Sequence, residues 1–283
     1  MRNNKIIKIY FTLSVLTLFV FFQASVNVCA GEVPAEVQFI HVGQGDCILI
    51  KGKRNYLIDT GNLSNSHKVI NHLRQQGVNE LEKLIITHYH EDHYGGIKYI
   101  LQYIKVNKVI LPMSDNIHKE EIVQEIKKVN GQYDIIKNNI ELIDDNISLY
   151  FIAPSKEDRV LENNNSTIIL GIIDGISYLL MADAENNLER EIMDKYHIKN
   201  INILKVAHHG LLTGSSRNFL NKVKADFAVI TCNGEESPSY NVLQRIKLSG
   251  SSILRTDKLG TIKIIRDKNN QGHDVIKIYN LKE

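Results

Sequence analysis

The sequence predicts a mixed α/β (α+β) fold in which two similar halves pack sheet against sheet, with helices on the outside. Three observations favour this fold. Each half has its strands first and its helices after, strands then alternate with helices, and no low-complexity linker separates the halves. About 250 residues follow the N-terminal apolar segment, a length that one domain with a substantial core can fill.

The N-terminal segment, MRNNKIIKIYFTLSVLTLFVFF, has the pattern of a secretory signal peptide. Three cations precede the apolar run, and the tripeptide VCA before Gly31 provides a small-residue cleavage site. We therefore expect a signal peptide over residues 1–30 and one domain over residues 31–283, secreted or at the cell surface. The alternatives are an uncleaved membrane anchor and a lipid-modified Cys29.

Charge and cysteine content exclude two classes of protein. The formal net charge of +2 reflects 34 Lys and Arg against 32 Asp and Glu, and three of the cations belong to the expected signal peptide. The mature domain therefore lacks the basic excess of a protein that coats nucleic acid. Cys47 and Cys232 lie in apolar runs, so we expect buried free thiols and no disulfide framework.

In the first half, the segments EVQFIHV, CILIKG and NYLIDTGN are predicted strands, with glycines at the bends. A helix with one apolar face is predicted over residues 67–76, and Gly77 follows it as a stop. The segments LEKLIITH, GGIKYILQYI and KVNKVILP then repeat the order strand, helix, strand. This order predicts helices packed over a sheet.

In the second half, STIILGIIDGISYLLMADAE predicts two strands joined by a hairpin at Asp174-Gly175. Helices are predicted over residues 187–197, 216–224 and 240–249. The strands INILKVA and ADFAVITC alternate with them, and SSILRT, GTIKIIR and DVIKIYN close the chain.

Metal-binding side chains crowd the end of the strand LEKLIIT. His88, His90, Asp92 and His93 follow it within six positions, before Gly95-Gly96 turns the chain into a helix. Neutral imidazoles with a carboxylate suit Zn²⁺, and also Mn²⁺ or Fe. A polar surface loop with incidental histidines is the alternative, but it does not explain such tight spacing.

Three other strands also end in polar residues. Asp183 ends YLLMAD, where burial would be costly without a cation, although it also suits the N-cap of the next helix. His208 and His209 end NILKVAHHG and form either a metal site or an ordinary turn. Asp59 ends NYLIDTGN, where it either holds a ligand histidine by a hydrogen bond or forms a turn before Gly61.

These motifs resemble those of the metallo-β-lactamase superfamily. THYHEDH matches its H-x-H-x-D-H signature, and LIDTG, MAD and AHHG stand in its usual order. HVGQGDCILI, ENNNSTIIL, KVAHHGLLTGSS and RTDKLGTIKI more closely resemble the ComEC type, the hydrolase domain of bacterial DNA-uptake channels and its free-standing relatives. The resemblance covers nearly all of residues 36–266 and implies a four-layer αββα sandwich.

The resemblance also implies two divalent metal ions, with Zn²⁺ expected and Mn²⁺ as the alternative. His88 and His90 would hold one ion, Asp92 and His93 would hold the other, and Asp183 would bridge the two ions. We expect His208 to complete the second site because it comes first after its strand, with His209 and Asp59 behind the ligands. Asp92 and Asp183 are the expected catalytic residues. The predicted ligands are His88, His90, Asp92, His93, Asp183 and His208.

Two segments depart from the family pattern. Asn163-Asn164-Asn165-Ser166 stands where many members have another histidine, and only His118, at a predicted helix start, lies in that interval. The first metal therefore has fewer expected ligands. Ser237-Pro238 replaces the His-Pro often found in the subgroup, which predicts slower activity or a different substrate.

The expected function is secreted, metal-dependent hydrolysis of a phosphodiester, with a small molecule or nucleic acid as the substrate. Lys205 and Thr213 either contact phosphate or belong to an ordinary strand edge and loop. The alternatives are a lactonase or β-lactamase, and a surface-binding module that kept the fold and lost catalysis. Membrane contact is expected only through an uncleaved leader. The loops over the metals select the substrate, so the sequence leaves its identity open.

Overall fold

A computed structural model of the chain describes residues 33–137 and 139–281. The predicted signal peptide over residues 1–30 lies outside these residues. The strands are β1 (Glu36–Phe39), β2 (Ile48–Lys51), β3 (Asn55–Ile58), β4 (Glu80–Ile85), β5 (Lys105–Leu111), β6 (Tyr133–Ile135), β7 (Ile140–Asp144), β8 (Ile147–Ile152), β9 (Ile168–Ile173), β10 (Ile176–Leu180), β11 (Ile203–Lys205), β12 (Phe227–Ile230), β13 (Ser252–Arg255), β14 (Thr261–Lys268) and β15 (Asp274–Leu281).

The α-helices of the described residues alternate with these strands. They are α1 (Ser66–Gln75), α2 (Glu91–Tyr94), α3 (Ile97–Tyr103), α4 (Ile117–Lys128), α5 (Asn186–Lys195), α6 (Arg217–Val223), α7 (Tyr240–Leu248) and α8 (Thr256–Leu259). Within residues 33–137 and 139–281, none of them has the length and apolar character needed to cross a membrane. The predicted helices over residues 67–76, 187–197, 216–224 and 240–249 are confirmed to within two residues at each end.

The strands form two sheets. The first has the order β15-β14-β1-β2-β3-β4-β5-β6, and the second has the order β13-β12-β11-β10-β9-β8-β7. Within the first sheet β3 to β6 run parallel, and within the second β10 to β13 run parallel. Parallel neighbours require crossover connections, which α1, α3, α4, α5, α6 and α7 provide. The carboxyl ends of each parallel set therefore lie at one edge of their sheet.

The packing confirms the predicted αββα sandwich. Alternate residues of a strand face opposite sides of a sheet: Ile48 and Ile50 of β2 pack between the two sheets, whereas Leu49 packs with helices α1 and α3. The second sheet behaves in the same way, since Leu180 faces the first sheet and Leu179 packs with α5 and α6. Each sheet thus buries both faces, one against the other sheet and one against helices.

The two cysteines of the described residues are free and buried, as predicted. Burial, with the charges of Asp59 and Asp46, raises the pKa of the Cys47 thiol well above its usual value. Burial and a hydrogen bond to Asp257 raise the pKa of Cys232 to about 12. Both groups therefore stay protonated at neutral pH, and the reactive thiolate is absent.

We expect neither Cys47 nor Cys232 to react with iodoacetamide in the native protein at about pH 8, because a thiol needs both access and thiolate character. Both should react in concentrated guanidinium. Peptide mass spectrometry assigns each labelled thiol separately. Rapid labelling of either one in the native protein would contradict the burial described above.

Candidate metal centre

The candidate metal centre lies where strands of both sheets end. In each sheet the parallel strands place their carboxyl ends at one edge, where the side chains after neighbouring strands converge. The side chains that meet there come from the loops after β4, β10 and β11: His88, His90, Asp92, His93, Asp183, His208 and His209.

The loop between β1 and β2 closes against this edge. The amide of Asp46 donates a hydrogen bond of 3.2 Å to the carbonyl oxygen of Asp92, and Gly61 N donates to Asp46 O at 2.8 Å. Gly45, which precedes Asp46, has a φ of +130°. A Cβ at this position would overlap the backbone of Asp92. Only glycine therefore permits this approach, which brings Asp46 beneath the histidine cluster.

Asp183 is the residue that joins the cluster together. Its Oδ1 lies 3.2 Å from His93 Nε2, and its Oδ2 lies 3.4 Å from His209 Nε2. His209 Nε2 is also 3.2 Å from Asp92 Oδ2. These four residues form one group whose candidate ligand atoms all lie within 4.8 Å of one another.

A second group shares the same carboxylate. His88 Nε2 lies 3.1 Å from His90 Nδ1 and 3.9 Å from Asp183 Oδ2. Their candidate ligand atoms again lie within 4.8 Å of one another. The structure thus brings five of the six predicted ligands together with His209, in two groups of three and four residues that share Asp183.

The two histidines after β11 have the opposite placement from the one expected. His209 is buried in the cluster, and its Nδ1 lies 2.9 Å from the carbonyl oxygen of Thr231. The His208 side chain is 18% exposed at the rim, where its Nδ1 lies 2.7 Å from Thr213 Oγ1. Its Nε2 is still 3.7 Å from Asp183 Oδ2. Both residues have positive φ values, 48° and 53°, and this left-handed turn carries the second histidine inward.

Asp59 lies behind the cluster, where the sequence predicted it. Its Oδ2 is 2.7 Å from His93 Nδ1. The amide and the hydroxyl of Thr87 each donate to this carboxylate at 2.8 Å. A carboxylate held in this way fixes the orientation and tautomer of the imidazole.

Asp46 and Thr231 are not among the residues predicted from the sequence, which left open whether Lys205 contacts phosphate or belongs to an ordinary strand edge. The Lys205 side chain is fully buried and forms an ion pair with Asp46. It also donates to the carbonyl oxygen of Ala182 at 2.9 Å and lies 3.8 Å from Asp183 Oδ1. Thr231 Oγ1 donates to Asp46 Oδ1 at 2.5 Å. Lys205 is therefore a cation beneath the centre, and burial keeps it from contacting a substrate.

Replacing Lys205 by Met should lower the free energy of unfolding by about 3–5 kcal/mol, because it leaves the buried Asp46 carboxylate without its partner. Replacing the half-exposed Lys195, which pairs with Glu191 at 3.0 Å, should cost less than about 1 kcal/mol. Denaturant unfolding in EDTA measures both changes without a contribution from metal affinity. Equal losses in the two variants would contradict this assignment.

Carboxylates dominate the electrostatics of the centre. Burial opposes the charged form of His209, yet Asp183 and Asp92 raise its pKa to about 9. Burial likewise opposes charge on His93, and the carboxylates of Asp183 and Asp59 raise its pKa well above the usual value. Burial and the neighbouring His93 instead lower the pKa of His88. The pocket therefore stabilises positive charge, held in part as protons that a divalent cation would displace.

Several buried atoms of the centre fit a metal ion better than they fit one another. His93 Nε2, His209 Nε2 and Asp183 Oδ1 are buried without a hydrogen-bond partner among the described residues. Such orphaned groups are rare in folded proteins. Imidazole nitrogens and carboxylate oxygens at one point are the ligands of Zn²⁺ and related ions, so these residues fit the cofactor that the sequence predicts.

The Asn/Ser-rich segment, residues 163–166, lies beside Asp183 and His208. Asn163 Nδ2 donates to Glu185 Oε1 at 3.0 Å and lies 3.4 Å from His208 Nδ1. The amide of Asp183 lies 3.4 Å from Ser166 Oγ. The segment therefore contacts the backbone of Asp183 and borders His208. Ser237, in the other departing segment, donates to Gln44 Oε1 at 2.8 Å.

Known proteins are similar to this chain in sequence. ComE operon protein 3 of Bacillus subtilis (strain 168) is 28% identical over 261 residues, covering 84% of this chain and 34% of that protein. Competence protein ComA of Neisseria gonorrhoeae is 26% identical over 238 residues, covering 82% and 32%. These similarities confirm the ComEC-type resemblance, and the chain spans about a third of the length of both relatives.

Solved structures agree on the fold. CmlA, a diiron beta-hydroxylase from Streptomyces venezuelae, matches with a TM-score of 0.54 and 15% identity, over 80% of this chain and 53% of that one. A putative metal-dependent hydrolase from Parabacteroides distasonis matches with a TM-score of 0.51 and 12% identity, over 79% and 94%. A family model for the metallo-beta-lactamase superfamily matches residues 41–234, more than half of the chain. The chain therefore belongs to the metallo-β-lactamase superfamily, as a metal-dependent hydrolase.

Proposed function

We propose that this protein is a secreted phosphodiesterase with two divalent metal ions, Zn²⁺ or Mn²⁺. One observation carries the proposal: the two ligand groups share the Asp183 carboxylate. His88 and His90 would hold one ion with Asp183, and the other ion would be held by Asp92, His93, Asp183 and His209. His209 thus takes the role that the sequence analysis expected for His208.

Two adjacent divalent ions would supply a nucleophilic water at neutral pH and neutralise charge on the oxygens of a phosphodiester. The chain itself supplies orientation. Asp59 holds His93 at 2.7 Å, and the Thr231 carbonyl holds His209 at 2.9 Å, so both imidazoles present Nε2 to the centre. Asp92, whose side chain is 28% exposed, faces the open side and is suited to steer the attacking water.

His208 is suited to protonate the leaving group. It is the partly exposed histidine at the rim, 3.7 Å from Asp183 Oδ2. Thr213 Oγ1 lies 2.7 Å from its Nδ1 and fixes the ring, which leaves Nε2 turned toward the centre. A positioned proton donor of this kind contributes about 10²–10⁴-fold to a reaction with a poor leaving group.

The test is a comparison of substrates with Zn²⁺ or Mn²⁺ supplied. We expect turnover of bis(p-nitrophenyl) phosphate and of single-stranded DNA, and none of nitrocefin or an acyl-lactone. Turnover of nitrocefin or the lactone alone would replace the proposal with a lactonase or β-lactamase. If all four substrates stay intact while the protein is folded, the surface-binding module becomes the better interpretation.

The proposal of secretion rests on the sequence of residues 1–30. Detection of the mature chain in the culture medium, with an N-terminus at Gly31, is the expected result. Retention of the full leader in the membrane fraction would favour an anchored protein.

A further inference from the structure

Three arginines from three helices line one surface cavity, which we call the arginine cavity. Arg190 lies on α5, Arg217 on α6 and Arg245 on α7. The cavity has a volume of about 400 Å³ and is also lined by Leu212 and Asn218. No sequence motif points to it, because the three arginines are far apart in the chain.

The charge of the arginine cavity is balanced only in part. The described residues that line it include no aspartate or glutamate, and within the described ranges none of the three arginines forms an ion pair with a carboxylate. Arg190 donates only to Asn186 O and the side chain of Asn187. The nearby Glu189 is buried and accepts hydrogen bonds from the amides of Ser215 and Ser216. Burial raises the pKa of this carboxyl, and these hydrogen bonds and the charge of Arg245 oppose that rise.

A second, larger cavity, in which acidic side chains balance the basic ones, serves as a comparison. It has a volume of about 790 Å³, and its two cations, Lys156 and Arg159, lie among the acids Glu157, Asp158 and Glu191. That lining has no excess of positive charge. In a chain whose formal net charge is only +2, three guanidinium groups around one cavity outnumber the single Glu189 carboxylate that interacts with Arg245, and this excess creates a local positive field that attracts anions.

The arginine cavity adjoins the metal centre. Asn186, which lines it, follows Asp183 by three residues, and Leu212 follows His209 by three. Three residues span at most roughly 11 Å. The two segments also contact each other, because Asn186 N donates to Thr213 O at 2.9 Å.

We propose that the arginine cavity binds a phosphate group, and that this group belongs to an extended phosphodiester whose scissile bond lies at the metal centre. The proposal rests on the phosphodiesterase function proposed above. Guanidinium groups bind phosphate through paired, charge-assisted hydrogen bonds. The exposed Leu212 side chain, 50% exposed, offers an apolar surface between the two sites.

The test uses the double variant Arg217→Gln/Arg245→Gln and the single variant Arg217→Gln, whose side chain lies on the surface. Fluorescence anisotropy measures the Kd of a single-stranded phosphorothioate oligonucleotide, which resists hydrolysis. We expect the double variant to raise this Kd roughly tenfold or more. The slope of log Kd against log salt concentration should fall by about 1.4. The single variant should show about half of the change in slope. Turnover of bis(p-nitrophenyl) phosphate, which has one phosphate, should stay within about twofold of the unmodified protein.

Arg159→Gln is the matched control, because it removes an exposed arginine from the other cavity. An equal loss of oligonucleotide binding in this control would overturn the assignment to the arginine cavity.

Calorimetry with inorganic phosphate separates the two sources of the anion. If the double variant loses phosphate binding but keeps its oligonucleotide binding, the cavity is a site for free phosphate and the extended substrate is overturned. Unchanged binding of both probes would overturn the site altogether. Failure of the proposed function looks different, since the unmodified protein would then leave bis(p-nitrophenyl) phosphate intact.

Discussion

Asp183→Asn should reduce turnover of bis(p-nitrophenyl) phosphate by about a thousandfold or more, the scale reached when a preorganised charge-stabilising group is lost. The change keeps the size of the side chain but replaces one carboxylate oxygen with an amide group that cannot ligate a cation in the same way. Asp183 is the residue that both ligand groups share, so both sites lose a ligand at once. Steady-state kinetics with saturating Zn²⁺ or Mn²⁺ measure the effect.

The matched control for this variant is Asp194→Asn, which makes the same chemical change at an exposed position of α5. It should keep the activity of the unmodified protein. Circular dichroism should show the same fold for both variants. An Asp183→Asn protein with activity within about tenfold of normal would contradict the bridging role.

His208→Gln and His209→Gln should have different consequences although the residues are adjacent. His209→Gln should remove bound metal and activity on every substrate, because His209 Nε2 lies 3.2 Å from Asp92 and 3.4 Å from Asp183. His208→Gln should keep the metal and most of the turnover of bis(p-nitrophenyl) phosphate, whose leaving group needs no proton. Its turnover of single-stranded DNA should fall about 10²-fold or more, because the leaving alkoxide needs one.

Metal content and the two rates, measured side by side, distinguish these roles. Metal loss in His208→Gln with metal retained in His209→Gln would restore the assignment that the sequence analysis favoured. Equal loss of both rates in His208→Gln, with metal retained, would remove His208 from the role of proton donor.

Local patterns were sufficient to predict most of the elements. The hairpin at Asp174-Gly175 joins β9 and β10 with positive φ at both residues, 49° and 76°. This conformation suits the sequence Asp-Gly. Asp183 was found because it follows an apolar strand directly, where an unpartnered carboxylate would be costly.

Residues 133–152 were left unassigned, although Ile147, Leu149 and Phe151 alternate with less buried residues and pack between the two sheets. They form β6, β7 and β8. Ile140 and Ile143 of β7 are 43% and 71% exposed, so the alternation that identifies a half-buried strand is absent from β7. β6 has only three residues and lies at the edge of its sheet.

The choice between His208 and His209 depends on backbone conformation, which residue types do not reveal. Two successive left-handed residues reverse the order in which the side chains reach the centre. The partnership of Asp46 with Thr231 and Lys205 was also invisible, because Asp46 and Thr231 are 185 positions apart. A buried network of this kind has no local period and no fixed spacing. Its only sequence trace is a lysine inside an apolar strand, which is rarely buried unless it is paired.

The most direct measurement is the metal content of the protein, purified without chelator and determined by elemental analysis alongside Asp183→Asn. Two ligand groups that share one carboxylate predict close to two divalent ions per chain, falling to one or none in the variant. A folded protein with close to no metal, or with the same metal content in both chains, would contradict a dinuclear centre bridged by Asp183.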